Sequence, residues 1–444
     1  MGGLCGSFGS FEDLESLVAL VKEGGERELF VRDPGVALVG KEGTYLGNGF
    51  FYGVLYSDEQ LDILREGTVE DAAKALSALA ATADGEYVAA AFEEGKLCLS
   101  RDYYGKYPLF IKKDPAFCFS TSLGGFEDAP PKLQMEDGST ILVKRGRVTK
   151  TYRRPKLSFG KHRTDFYESL PRIRAELDAA LGRRAAHAPT FSIMFSGGID
   201  SALLAKLSLS HADVCLLTIG ADLAEDCAFA VQMEEEMGAS LSLIELDEDV
   251  VADIARDVIQ AIGPSCSVLD FELALPAYLA SKHAKTRLIF SGQGADELFG
   301  GYHRYQEAYK ESPAAFEKMQ LEDLRRIGRT NLQRDQLAAH ANGCHITTPY
   351  LTPGMASVVL STETLARINV TKNKIVLRKL AEREGLPMEI CERKKKAMQY
   401  GSGLHALLKQ MAKEQGFTAE KAKEAGNIGP LDMLLSSFKE PLER

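Results

Sequence analysis

Two hydrophobic rhythms divide the chain. Up to about residue 150 the apolar positions come in short runs separated by Gly and Asp/Pro clusters. "VALVG" (36–40), "YVAAAF" (87–92), "KLCLS" (96–100), "YPLFI" (107–111), "FCFST" (117–121) and "STILVKRGRVTKTY" (139–152) read as strands. "DEQLDIL" (58–64) and "VEDAAKALSALA" (69–80) read as helices. The pattern is α+β, with mainly antiparallel sheets stacked on each other. The stretch "RRPKLSFGKHRT" (153–164) is basic and aperiodic and reads as a linker. A helix then opens with Asp165 as N-cap and Glu168 three residues on, a capping-box arrangement. Phe166, Leu170, Ile173, Leu177 and Leu181 follow on one helical face.

From about residue 190 strand and helix alternate. "FSIMF" (191–195), "VCLLTIG" (214–220), "LSLIEL" (241–246) and "RLIFSG" (287–292) are the strands. "DSALLAKLSL" (200–209), "AEDCAFAVQMEEEMG" (224–238) and "FELALPAYLASKHA" (271–284) are the helices. This alternation predicts a doubly wound parallel α/β sheet covered on both faces. Beyond about 303 the pattern is mostly helical, and 416–444 is a charged, weakly patterned tail. The expected domains are 1–152, 165–415 and that tail.

Composition narrows the class. The chain has 444 residues, 45% apolar and 26% charged, as a soluble globular protein does. A net charge of -10 argues against nucleic acid as a partner. Eight cysteines, none in a C-x-x-C pair, make neither a disulfide framework nor a zinc signature. They fit a reducing, cytoplasmic setting. The opening lacks the basic and apolar regions of a signal peptide. Gly6 stands where myristoylation needs Ser or Thr, and no apolar run approaches bilayer length. The expectation is a protein without a membrane partner; a homodimer is compatible with the sequence.

The strongest local signal is "FSIMFSGGIDSALLA" (191–205), where a buried strand runs through Ser196, Gly197 and Gly198 into a helix. Glycines let a backbone approach an anion closely, and a helix N-terminus offers it unpaired N–H groups. Ser196 and Ser201 add hydroxyls, and Asp200 can hold Mg²⁺ against phosphate oxygens. The spacing is not that of a P-loop. A tight strand–helix turn with no ligand is the plain alternative. The second signal is "RLIFSGQGADELFGGYHRY" (287–305), a strand ending in Ser291-Gly292, followed by Asp296 and Glu297. In an open α/β sheet ligands sit beyond the carboxyl ends of strands. Both Ser-Gly turns are expected on that edge, with Asp200 and Asp296 sharing the metal. A glycine-rich capped helix start is the alternative here.

Together these segments resemble the synthetase domain of asparagine synthetases and the related β-lactam synthetases. The first resembles the S-G-G-x-D-S pyrophosphate loop of enzymes that split ATP into AMP and pyrophosphate. "LQRDQLAAHANGCHITTPYL" (332–351), "KNKIVLRKLAE" (372–382) and "ERKKKAMQYGSG" (392–403) are similar to further family segments, so the likeness runs from about 165 to 405. It implies an ATP-pyrophosphatase fold with a helical extension, with ATP and Mg²⁺ as cofactors. The implied reaction is adenylation of a carboxylate, aspartate or an analogue, followed by attack of ammonia or an amine. Matching the family's R-x-K loop makes Lys395 the catalytic lysine, although Lys394 and Lys396 leave the register open by one. Gln293 stands at the family's Glu, and a neutral amide can hydrogen-bond but cannot act as a base. The family's acidic, arginine and aspartate positions in G-x-E-x-R-x-P-F-L-D are His345, Thr347 and Thr352. These departures put aspartate in question as the substrate. His345 is either a ligand for something else or an ordinary packed or surface histidine.

The opening "LCGSFG" (4–9) and "DGEYVAAAFEEGKLCLSRDYYGKYPLFI" (84–111) resemble class II glutamine amidotransferase domains. That implies an N-terminal-nucleophile-hydrolase-like α/β/β/α sandwich with Cys5 as the nucleophile. An active member has this cysteine at its free N-terminus, whereas Cys5 follows four residues. The family's oxyanion Asn and substrate-holding Glu align with Tyr52 and Val54; a register through Asn48-Gly49 keeps the Asn but breaks the following pattern. Losing such groups costs about 3 kcal/mol each in transition-state stabilisation. The reading is an ammonia-using ligase whose N-terminal site is degenerate. The alternatives are the same chemistry on another carboxylate, and a non-catalytic ATP-sensing relative. A tRNA-modifying relative is disfavoured by the acidic charge and by missing cysteine pairs.

Overall fold

The apolar runs of the first 150 residues form two six-stranded antiparallel sheets. The computed structural model describes residues 4–8, 28–32, 35–39, 43–46, 49–56, 67–93, 95–113, 117–121, 123, 133–221, 224–393, 398–424, 426 and 428–439. The expected helix 58–64 and Asn48 lie outside the described residues. The chain divides into two compact units. One comprises Met1–Arg184, Gln293–Leu337 and Thr348–Leu377; the other comprises Ala185–Gly292, Ala338–Thr347 and Arg378–Arg444.

In the first unit the strands are β1 Leu4–Phe8, β2 Glu28–Arg32, β3 Gly35–Val39, β4 Gly43–Leu46, β5 Gly49–Leu55, β6 Gly85–Glu93, β7 Lys96–Arg101, β8 Phe110–Lys112, β9 Phe117–Ser120, β10 Leu133–Gln134, β11 Ser139–Lys144 and β12 Arg147–Arg153. One sheet runs β10-β8-β9-β1-β3-β2 and the other β12-β11-β7-β6-β5-β4. Alternation sorts the second sheet's residues. Val88, Ala90, Leu97, Leu99, Ile141 and Val143 pack on Ile111, Phe117 and Phe119 of the first sheet. Tyr87, Ala89, Ala91, Cys98 and Leu142 pack on helix α1, Val69–Thr82. Both faces of β6 are therefore buried, which explains why "YVAAAF" is apolar throughout. The described layers are helix, sheet and sheet. The run 139–152, expected as one strand, is a hairpin: Arg145 and Gly146 both take positive φ, 48° and 72°, as a two-residue hairpin turn requires.

Helix α2, Phe166–Ala185, starts where expected, with Glu168 N donating to the Asp165 carboxylate at 2.9 Å. The reciprocal half of the capping box gives way to a Glu168–Arg172 pair. Leu170, Ile173, Leu177 and Leu181 are buried, and Phe166 is half-exposed. The segment expected as a linker is pinned: Arg163 binds both carboxylate oxygens of Glu317, and Arg154 stacks on Tyr103. The far end of α2 carries a buried charge network. Arg184 bonds both oxygens of Asp84 at 2.9 and 3.0 Å and reaches Glu86 at 3.4 Å. Lys106 binds Glu86 at 2.7 Å.

The second unit is built on a five-stranded parallel sheet: β13 Thr190–Met194, β14 Asp213–Gly220, β15 Ser240–Glu245, β16 Leu288–Phe290 and β17 His345–Thr347. Its order is β15-β14-β13-β16-β17, so the winding reverses between β13 and β16. Cys215, Leu217 and Ile219 of β14 join one core with helices α5, Glu248–Ile262, and α6, Val268–His283. Val214, Leu216 and Thr218 are buried on the opposite face. Helices α3, Ile199–Ser208, and α4, Glu225–Met237, link the strands. α5 is not among the elements expected from the pattern, despite its amphipathic face, and neither are β2, β4, β5 and β17; of these, β4 and β17 have only four and three residues. The charged end of the chain docks: Leu434 and Leu435, in a last helix Pro430–Lys439, enter the same core, and Phe438 packs on Phe271. No helix among the described residues is long and apolar enough to cross a membrane.

The Asp84 network sets a stability prediction. Burial alone would raise the Asp84 carboxyl, but Arg184, with Lys106 and Arg183, outweighs it and takes the group from 3.8 down to about 2. A depressed carboxyl stabilises the fold above its unfolded value and loses that contribution as pH falls between about 4 and 2. The shift corresponds to about 2 kcal/mol. Arg184→Met leaves two buried carboxylates short of countercharge; urea unfolding at pH 7 is expected to show a loss of about 3–5 kcal/mol. Its acid-unfolding profile between pH 4 and 2 is expected to flatten.

Candidate functional site at the strand-order reversal

β13 ends against the turn Phe195-Ser196-Gly197-Gly198, and α3 begins at once. Gly197 is left-handed, φ 64°, and a Cβ there would lie 2.5 Å from Phe229 Cβ and 2.7 Å from an Arg393 guanidinium nitrogen. Glycine is required on both counts. Gly198 is the N-cap of α3 and has no side chain to cap the helix's first amides. Ser201 Oγ donates to Gly198 O at 3.1 Å and accepts from Ser196 N at 3.4 Å, closing the turn. Asp200, in the first turn, is 9% exposed. From the neighbouring strand β16, Ser291 donates its N–H to Thr347 O at 2.9 Å. Gly292 then passes so close to α3 that a Cβ would sit 3.0 Å from Asp200 Cβ. The two Ser-Gly turns thus meet at the carboxyl edge of β13 and β16, the switch point where open α/β sheets hold ligands. Uncapped amides, two hydroxyls and a first-turn carboxylate fit a metal-bound polyphosphate.

Arg393 holds this turn. One guanidinium nitrogen donates to Ser196 O at 2.7 Å; the other bonds Asp226 at 2.9 Å and Glu225 at 3.2 Å. The plane lies 4.0 Å over the Phe229 ring. Arg378 holds the Arg393 backbone carbonyl at 3.3 Å.

In the first unit, Gln293 and Asp296 lie at the start of the segment that forms helix α7, Ala295–Phe299. Asp296 pairs with the buried Lys374 at 2.5 Å, and Lys374 itself has positive φ, 51°. A Cβ on Gly301 would overlap both partners. Glu297 accepts from Tyr302 OH at 2.7 Å and from Asn331 at 3.4 Å. Gln293 donates its amide to the buried Asp335, which Arg334 braces at 2.7 Å. Burial raises the Asp335 carboxyl, Arg334 opposing.

The remaining expected residues fall as follows. Lys394, Lys395 and Lys396 lie outside the described residues. Cys5 is in β1, its backbone paired with Leu38 and Ser120. Val54 pairs across strands with Glu86, whose carboxylate is engaged by Lys106 and Arg184. Arg101 and Asp102 of the "RDYYGKYP" motif act as scaffold. Arg101 donates to the carbonyls of Tyr107 and Met135 at 2.6 and 2.8 Å. Asp102 accepts from the amides of Lys106 and Tyr107, and burial pushes its carboxyl up to about 6. His345 opens β17, at the amino end of the parallel sheet and away from its carboxyl edge, and contacts His340 at 3.2 Å. Among the described residues no three His, Cys, Asp or Glu side chains gather as a metal site. Thr352 caps the helix Pro353–Leu360, its Oγ accepting from Met355 N at 3.0 Å.

Residues 172–316 and 310–428 match the family model described as asparagine synthase. The chain belongs to the asparagine synthase family. Two relatives are described as glutamine-hydrolysing asparagine synthetases. That of Methanocaldococcus jannaschii is 27% identical over 409 residues, 79% of this chain and 74% of its own. That of Dictyostelium discoideum is 23% identical over 382 residues, 77% of this chain and 68% of its own. Among solved structures, the NMN synthetase of Francisella tularensis superposes with a TM-score of 0.31 at 14% identity, over 52% of this chain and 77% of that one, too loosely to carry an argument.

Within this asparagine synthase family chain, sequence reasoning passed over Asp226, Lys374 and Asp335. An acidic residue in the first turn of the helix after β14 was the available signal for Asp226. Nothing local marks Asp335, which reaches Gln293 across 42 residues. The geometry at Gly197 is testable: Gly197→Ala is expected to weaken binding of inorganic pyrophosphate at least tenfold by calorimetry. The left-handed strain itself should cost about 1–2 kcal/mol in urea unfolding.

Proposed function

We propose that the protein is an ATP-dependent, amide-forming ligase that adenylates a carboxylate, aspartate first among candidates, and aminolyses it with ammonia. The observation that carries this reading is the meeting of Gly292 with the first turn of α3 at the winding reversal of the sheet. In the proposed reaction a carboxylate oxygen attacks the α-phosphorus of ATP, and the bond to pyrophosphate breaks. Ammonia then adds to the acyl carbon, the bond to AMP breaks, and the nitrogen sheds one proton. The first amides of α3 and the Ser196 hydroxyl receive the pyrophosphate oxygens; the Ser201 hydroxyl joins them by turning its one proton away from Gly198 O. Asp200 would hold Mg²⁺, which supplies charge neutralisation for the leaving pyrophosphate. Asp296, expected as a second metal ligand, carries Lys374 on its carboxylate. By family position, Lys395 adds cationic charge near the α-phosphate, and Gln293 stands where the family's Glu serves the amine.

The N-terminal sheets, on this reading, are an N-terminal-nucleophile-hydrolase-like module with Cys5 as a relic nucleophile. Val54, at the position where the family holds glutamine, has no charge to offer, and Glu86 opposite it is committed to two cations. Ammonia is therefore the preferred nitrogen donor. A second reading, the same chemistry on another carboxylate, is favoured by Thr347: it is fully buried and supplies no cation at the family's arginine position.

Product mass spectrometry with ATP, Mg²⁺ and labelled aspartate tests the proposal, with ¹⁵N-ammonium and amide-¹⁵N-glutamine in parallel. Labelled asparagine from ammonium alone is the expected result. Label arriving from glutamine would contradict the relic reading of Cys5, and no asparagine from either donor would favour the other carboxylate. Asp200→Ala is expected to reduce ATP–pyrophosphate exchange by at least 100-fold, on the order of the loss of one strong transition-state contact.

A further inference from the structure

The second unit contains a carboxylate that ties three distant stretches of chain to one turn. Asp226 lies in the first turn of α4 and is only 4% exposed. It receives Arg393, whose other nitrogen holds Ser196 O. It also abuts Gly401 so closely that a Cβ there would fall 2.5 Å from one carboxylate oxygen and 2.7 Å from the other. Just beyond, Ser402 O accepts from Ala221 N at 2.8 Å, which fixes residues 401–402 beside the end of β14. One carboxylate thus meets the residue that grips the anion-binding turn and the glycine that opens the "GSG" segment.

We infer that Asp226 is a positioning residue for the pyrophosphate turn, acting through Arg393, and that Gly401 is glycine to leave its carboxylate in place. The inference rests on the ligase reading for its chemistry and on the Asp226–Arg393–Ser196 chain for its geometry. An arginine beside an anion site would ordinarily turn to the anion. Asp226 balances that charge and aims the guanidinium fork at a backbone carbonyl, a placement that lysine, with a single point charge, cannot reproduce. The Ser196 carbonyl so held is kept out of the phosphate space, and left-handed Gly197 can present its own amide there. Glu225 also contacts Arg393, but its side chain is 43% exposed against 6% for Asp226. Exposure weakens its hold.

Three variants test this: Asp226→Ala, Asp226→Asn and Gly401→Ala. The last changes no charge and acts only by displacing the carboxylate. Pyrophosphate binding is measured by calorimetry, and ATP–pyrophosphate exchange is resolved into kcat and KM. Asp226→Ala and Gly401→Ala are each expected to raise the pyrophosphate Kd and the KM for ATP by about 10- to 100-fold, the range for loss of an outer-shell partner. Asp226→Asn, which keeps an acceptor, should fall between them and the unaltered protein. A purely structural role would reduce the amount of folded protein and leave KM unchanged. That outcome, or a folded Gly401→Ala protein with unaltered pyrophosphate affinity, overturns the inference. If the unaltered protein binds pyrophosphate but catalyses no exchange with any carboxylate, the ligase reading falls, and the ratio of pyrophosphate affinities still decides the role of Asp226.

Discussion

The Arg393 guanidinium, shared between the Ser196 carbonyl and the Asp226 carboxylate, is the interaction on which the candidate site depends. A strand that turns directly into a helix leaves a carbonyl and several amides unpaired at the junction, and each must find a partner. Here a cation takes the carbonyl, Ser201 takes one amide, and the first amides of α3 face no capping side chain. The arrangement tolerates no side chain at Gly197, where Phe229 and Arg393 fill the space, and none at Gly292, which lies on α3 itself. Two glycines in sequence thus record two close approaches, one of a side-chain clamp and one of a second strand end.

Charge is used differently in the first unit. Asp84, Glu86, Lys106 and Arg184 are all buried and satisfied mutually. Asp296 with Lys374, and Asp335 with Arg334 and Gln293, repeat the arrangement on the helical side of that unit. Breaking such a pair leaves a charge stranded away from water, so these groups constrain one another strongly. Several residues that draw attention in a family motif are scaffold here. Arg101 and Asp102 stitch a loop by backbone hydrogen bonds, and Thr352 serves a helix end as an aspartate would.

The departures from the asparagine synthase family also separate physically. Thr352 preserves a capping function, so its change is conservative in what it does. His345 begins an edge strand at the amino end of the sheet and pairs with His340, whose ring is driven well below its usual titration range by burial and by its neighbour. Thr347, by contrast, ends that strand beside Ser291, at the carboxyl edge of the sheet. Gln293 is held by a carboxylate acceptor, which commits its amide nitrogen to Asp335.

Local pattern was enough for the parallel sheet, the α2 helix with its Asp165 cap, and the strand–glycine–helix turn, because each follows from periodicity, capping or backbone freedom within a few residues. It was also enough to put Ser196, Asp200 and Gly292 on one edge. It could not resolve the hairpin at Arg145-Gly146, since an arginine with positive φ carries no composition signal. It missed the short strands β4 and β17, whose three or four residues exist only because neighbouring strands pair with them. The partners of the site were equally hidden. Asp226 meets Arg393 across 167 residues, Gln293 meets Asp335 across 42, and Arg184 meets Asp84 across 100. A charge in a sequence does not say which opposite charge will share its burial. That pairing is settled when the packed elements exclude water and leave each buried group one partner within reach.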